Sequence, residues 1–131
     1  FKVYYIRRQV DKSLLQNLQE ILNIPEKATA NKEIWRSQWQ QLETTMGKPL
    51  LLVFDQVEEV FTHPNAAAPE ELAGLIAHIQ TVFKFFENRP KGKIILSFRK
   101  EYHLDIEQVL GTYQIPIETV FLEKLKKTEK Y

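Results

Sequence analysis

Four residues in two short stretches have the types and spacing to do chemistry together: Asp55, Glu58 and Glu59 in one, Arg99 in the other. The first stretch, residues 49–61, reads Pro-Leu-Leu-Leu-Val-Phe-Asp-Gln-Val-Glu-Glu-Val-Phe, so an unbroken apolar run ends in an aspartate and an acidic pair follows. The second, residues 94–99, reads Ile-Ile-Leu-Ser-Phe-Arg and ends in a base. Short apolar runs without polar alternation predict strands buried on both faces, as in a parallel sheet. A side chain at the C-terminal end of such a strand lies where open α/β sheets bind their ligands. If the two strands are neighbours, Asp55 and Arg99 face one crevice with opposite charges. Such a pair can hold a cation and an anion, as Mg²⁺ and a nucleotide γ-phosphate require. Glu58 and Glu59 follow on a turn that can aim one carboxylate at an attacking water, and a general base needs that reach before its pKa matters. The structural reading of the same residues is plainer: Asp55 starts a turn, and the two glutamates are a solvated pair on its far side.

The elements that must position these residues follow from periodicity. Residues 1–8 are aromatic and β-branched and predict a strand, with Arg7 and Arg8 at its solvated end. Asp11 is placed to cap a helix carrying Leu14, Leu15, Leu18, Ile21 and Leu22, which Asn23 and Pro25 stop. A second helix spans residues 31–46. Its stripe of Trp35, Trp39, Leu42 and Met46 packs a helix onto a sheet, and Gly47 and Pro49 end it. Residues 56–61 predict a short helical turn, and residues 62–69 a loop. A third helix over residues 69–87 has Glu70 and Glu71 at the positive end of its dipole. Its apolar face carries Leu72, Leu75, Ile76, Ile79, Val82, Phe83 and Phe86, with His78 exposed on the other side. After the strand that leads to Arg99 come a helix over residues 101–110, stopped by Gly111, a last strand over residues 115–122 with Pro116 near its edge, and the charged start of a further helix. This alternation predicts an α/β fold: a three-layer, mostly parallel sheet flanked by helices.

Composition narrows the function classes. The chain has 131 residues, enough for one domain with a sizeable core, and is 44% hydrophobic and 27% charged, as globular domains are. A net charge of +1 gives no electrostatic footprint for nucleic acid or an anionic membrane. The absence of cysteine rules out disulfides, thiolate zinc sites and cysteine nucleophiles, and fits a reducing compartment, so a cytoplasmic location is expected. The apolar runs fall well short of the roughly 20 residues of a membrane helix. No leader is evident, and Phe1 is already strand-like, which reads as a piece of a longer protein. His63, His78 and His103 have no zinc-site spacing; His103 lies four residues after Arg99 and could approach the same crevice.

Residues 49–61 resemble the Walker B segment of STAND-class P-loop NTPases, the signalling and defence ATPases related to the NACHT and apoptotic-ATPase groups. Asp55 matches that family's Mg²⁺ aspartate, Glu58 and Glu59 its acidic pair, and Phe61 an aromatic often found there. Residues 94–99 resemble its next strand, whose terminal Arg, here Arg99, senses the nucleotide phosphate. Residues 1–8 resemble the strand after the P-loop helix, and residues 120–125 the lead into the helical lid. The resemblance spans nearly the whole chain. It implies a partial nucleotide-binding domain over residues 1–131 within an ATP-hydrolysing signalling switch. ATP and Mg²⁺ would serve the intact protein, and other subunits or domains of the parent, or further copies of the chain, would be its partners. One departure is large: the sequence contains no Gly-x-x-x-x-Gly-Lys-[Ser/Thr], and Gly92-Lys93 precedes a strand rather than a helix. The backbone N–H groups and lysine that cradle phosphates are therefore missing, and the chain alone is expected to bind ATP weakly or not at all. In the family's sheet the missing strand lies between the last strand and the Arg strand.

The competing expectation is a non-catalytic α/β domain that binds a partner protein. Such a scaffold has no need of opposite charges at adjacent strand ends. A flavodoxin-like receiver fits less well, because no acidic cluster follows the first strand.

Overall fold

A computed structural model describes residues 1–66, 70–84 and 89–112. Three strands, β1 (Lys2–Arg7), β2 (Leu50–Asp55) and β3 (Lys93–Leu96), form a parallel sheet in the order β1-β2-β3. In register, Lys2 faces Leu50 and Arg7 faces Asp55 on one side of β2, while Leu51 faces Lys93 and Phe54 faces Leu96 on the other. Helices α1 (Leu14–Leu22) and α2 (Lys32–Met46) make the first crossover; α3 (Glu59–Thr62) and α4 (Glu71–Val82) make the second, and α5 (His103–Thr112) follows β3. The α/β class is as the sequence predicts. The strand and helix expected beyond residue 112 lie outside the described residues, as do Pro69 and Phe86. No helix among the described residues is long and apolar enough to cross a membrane.

Local signals account for most boundaries. Ser13, not Asp11, caps α1: its side chain accepts from the Gln16 N–H while the Gln16 side chain accepts from the Ser13 N–H, a reciprocal capping box. Asn23, at φ 56°, closes that helix in the left-handed region that Asn tolerates. Asn31 caps α2, and Gly47, at φ 66°, ends it. Helix α5 runs through Gly111 to Thr112 instead of stopping there. His78 is half-buried, with its ring edge-on to Trp35 at 4.6 Å, rather than exposed.

One core joins the sheet to the helices. Leu50, Leu52 and Phe54 of β2 and Ile6 of β1 are buried in a single cluster with Leu14, Leu18, Trp35, Trp39, Leu75 and Ile79. The other face of the sheet differs from the expectation that the strands are buried on both sides. Val3 is 53% exposed, Tyr5 64% and Ile95 47%, and Leu51 and Val53 are only half-buried. The order of the strands supplies the reason. Parallel crossovers are right-handed, and two that step in the same direction place their helices on the same face. Covering both faces takes a reversal of strand order, and the described residues contain none. In the same way β3 is an edge strand, with β2 its only partner among the described residues.

Gly92 serves packing. A Cβ there would lie 2.5 Å from the Leu50 carbonyl oxygen and 2.7 Å from Glu43 Oε2. Glu43 is itself fixed: it accepts from the backbone N–H of Leu50 and Lys91 and from the Trp39 indole, so it ties α2 to the starts of β2 and β3. Gly92→Ala is expected to destabilise the fold by about 1–3 kcal/mol through overpacking. Gly74→Ala, in α4 where an added Cβ meets nothing, is expected to be neutral or to stabilise by up to about 1 kcal/mol. Urea denaturation of the two variants against wild type checks both signs.

Candidate functional site

The C-terminal edge of the sheet gathers the residues singled out above, because all three strands are parallel and end there. Asp55 is the last residue of β2, and its carboxylate lies on the open face. Oδ1 accepts from the N–H of Gln56 at 2.9 Å, and Oδ2 accepts from the Tyr5 hydroxyl. The chain then turns sharply: Gln56 has φ 57°, a left-handed conformation that is uncommon outside glycine. Arg7 Nε donates to Gln56 Oε1 at 3.0 Å and so holds the turn against β1.

The segment after β3 holds the same turn from the other side. Ser97 N–H donates to the Phe54 carbonyl at 2.8 Å, and Val57 N–H donates to the Ser97 carbonyl at 3.1 Å. The Phe61 ring stacks on Tyr102 with centroids 6.2 Å apart and planes 10° from parallel. The Asp55 turn and the Arg99 segment are therefore neighbours, as the expected crevice requires. Arg99 begins the 3-10 turn Lys100–Tyr102; its carbonyl accepts from Tyr102 N–H, and its exposed side chain makes no hydrogen bond or ion pair among the described residues.

The two glutamates are not equivalent. Glu59 is half-buried in the first turn of α3. Glu58 is 7% exposed, and its Oε1 is buried with no hydrogen-bond partner among the described residues. This overturns the reading of Glu58 as a solvated acid. A buried carboxyl oxygen without a donor costs about 1–3 kcal/mol or more, and most such groups in native proteins have a partner. His103 contacts Glu107 of its own helix at 3.2 Å. Among the described residues no group of three or more His, Cys, Asp or Glu side chains is close enough to hold a metal ion by itself. An open cleft lined by Gln40, Glu43, Gly47, Lys48, Pro49 and Lys91 lies at the opposite edge of the sheet and includes none of the four candidate residues.

Arg8 also departs from its expected place at a solvated strand end. It is buried, not solvated, and forms a two-pronged ion pair with buried Glu71: Nη2 to Oε1 at 2.6 Å and Nε to Oε2 at 3.3 Å. Arg8 Nη1 also donates to the His63 carbonyl at 2.6 Å, and Glu71 Oε2 accepts from Leu14 N–H at 3.0 Å. Glu71 lies in the first turn of α4, at the positive end of its dipole as expected, and is buried there. Strand parity carried the missing signal for Arg8: Tyr4, Ile6 and Arg8 alternate onto one face, and Ile6 is in the core.

Comparison with family models, with curated proteins and with solved structures finds no match to this chain.

Two outcomes follow from these contacts. Glu71→Gln leaves the buried Arg8 charge without its counterion and is expected to destabilise by about 3–5 kcal/mol; Arg8→Met combined with Glu71→Leu should cost much less. Chemical denaturation of the single and double variants distinguishes the two. Tyr5 has its phenol pKa raised above the usual 10.0, first by its hydrogen bond to Asp55 and then by desolvation and the Asp55 charge. The neutral phenol is the donor, so this contact contributes fully below the unfolded pKa and is lost as pH rises through the folded one. In a spectrophotometric phenolate titration Tyr5 should ionise late, and Asp55→Asn should remove the delay.

Proposed function

We propose that this chain is part of the ATP-binding and hydrolysing switch module of a STAND-type signalling NTPase, with its phosphate-binding loop contributed by another part of the parent. The observation that carries this reading is the orphaned, buried Glu58 oxygen on the turn between Asp55 and the segment that presents Arg99. A buried acceptor without a donor is what a site awaiting a water or cation contains. The opposite charges of Asp55 and Arg99 add to it.

Mg²⁺ fits the donors present. It takes oxygen ligands, keeps several waters, and is bound through one or two carboxylates together with substrate phosphates, so a complete protein cage is not needed. Asp55 would hold it, and bound Mg²⁺ would neutralise charge building on the phosphates. Glu58, or Glu59 beside it, would accept a hydrogen bond from the attacking water and orient it. Arg99, free to swing, would meet the γ-phosphate as a fork of N–H donors. The edge of β3 that is unpaired among the described residues is where the family's phosphate-loop strand would pair, and the open sheet face would take its second helical layer from the parent, completing a three-layer fold. The coupling of nucleotide state to assembly would make the parent's other domains or further copies its partners, in the cytoplasm.

A specific observation favours a second reading, a non-catalytic interaction domain: the uncovered apolar face bearing Val3, Tyr5, Val53 and Ile95. Exposed contiguous apolar surface marks an interaction site. ATP turnover by the full-length parent separates the two. Asp55→Asn and Arg99→Gln are each expected to lower turnover by about a hundredfold or more, the scale for losing one preorganised electrostatic group. Turnover that survives both substitutions would leave the interaction-domain reading in its place.

A further inference from the structure

Both carboxylate oxygens of Asp55 are already engaged, and the two donors differ in kind. The Gln56 N–H is part of the backbone and is fixed by the left-handed turn. The Tyr5 hydroxyl stands at the tip of a ring on the open sheet face, 64% exposed. Register places Tyr5 opposite Val53 and Arg7 opposite Asp55, so Tyr5 reaches its partner along a diagonal. Arg7, the cation directly across from Asp55, turns instead to Gln56 Oε1. Among the described residues Tyr5 is thus the one side chain that donates to Asp55.

A phenol O–H and a hydrated cation compete for the same lone pairs. The phenol places a proton on the carboxylate oxygen, whereas the cation places itself or the O–H of one of its waters there. Release of the phenol requires no repacking, because an exposed hydroxyl exchanges its partner for water. Resting on the reading of Asp55 as the cation carboxylate, we propose that Tyr5 is a positioning residue that caps Asp55 Oδ2 in the cation-free state, so that a divalent cation binds only as the Tyr5 hydroxyl lets go. Tyr5 would then set how much Mg²⁺ the site needs, and would report on its arrival.

The test is an Mn²⁺ titration of the full-length parent with a non-hydrolysable ATP analogue present, read by paramagnetic broadening of the Gln56 and Val57 backbone amides, in wild type, Tyr5→Phe and Asp55→Asn. Tyr5→Phe keeps the ring and removes only the donor, so it should bind Mn²⁺ about fivefold more tightly, the return of one net hydrogen bond. Asp55→Asn should lose the broadening. Mg²⁺ added to wild type should move the Tyr5 Cζ resonance toward its position in Asp55→Asn, a change that a purely structural tyrosine would not show. If Asp55→Asn loses the broadening while Tyr5→Phe binds like wild type or more weakly, the capping role is overturned and the reading of Asp55 stands. If Asp55→Asn broadens as wild type does, or wild type and Tyr5→Phe show no broadening, the reading of Asp55 fails and the capping role falls with it.

Discussion

One buried charge ties together the edge of the sheet on which the candidate site lies. Arg8 leaves β1 on the inward face, where its guanidinium meets no bulk water. A lone charge there would cost several kcal/mol, so the surrounding chain has to answer it. Glu71 supplies the counterion from the start of α4, the His63 carbonyl takes a further N–H, and the Leu14 N–H satisfies the remaining side of Glu71. The end of β1, the starts of α1 and α4, and the end of α3 are thereby fixed to one another. A buried pair of this kind adds little net stability against an apolar replacement. It does penalise any packing in which the partners are separated, and here it restricts the four segments to one arrangement. The Asp55 turn rests on that frame through the bond from Arg8 N–H to the Asp55 carbonyl.

Helix α2 was legible because it carries its own punctuation. Trp35 and Trp39 one turn apart, Asn31 before them and Gly47 after them define α2 without tertiary information. The strands were legible as elements, and their parallel order followed from the alternation with helices. The burial of their two faces was not legible. Leu51, Val53 and Ile95 are as apolar as their inward neighbours, so nothing in the run Leu50–Phe54 says that one face stays open. That property belongs to the direction in which successive crossovers step, which only the assembled sheet reveals.

The site was legible in part, for similar reasons. Asp55 falls at the end of β2 as the apolar run predicts, whereas β3 ends at Leu96 and Arg99 lies beyond it at the start of a 3-10 turn, beside the Asp55 turn through the Ser97 bonds. The burial of Glu58 was not predictable, since two adjacent acids on a short turn look alike until Val57 goes into the core and carries Glu58 with it. The Tyr5 contact was hidden for another reason: it joins residues 50 apart along a diagonal that exists only in this register. The Arg8–Glu71 pair spans 63 residues and shows in sequence only as an inward parity. Local rules reach caps and faces, while partners across the sheet depend on register.

The proposed site would hold a cation through Asp55 and meet a phosphate through Arg99, with the phosphate cradle supplied by another part of the parent. Its most direct test is to read the parent's sequence ahead of Phe1. The account predicts an apolar strand, a glycine-rich loop closing in Lys-[Ser/Thr], and a helix, all within about 50 residues, the length of one strand–helix unit with its loops. A different kind of sequence there would contradict it. Asp55 and Arg99 would then be charges at the rim of an interaction surface, and the open face of the sheet would become the functional feature of the chain.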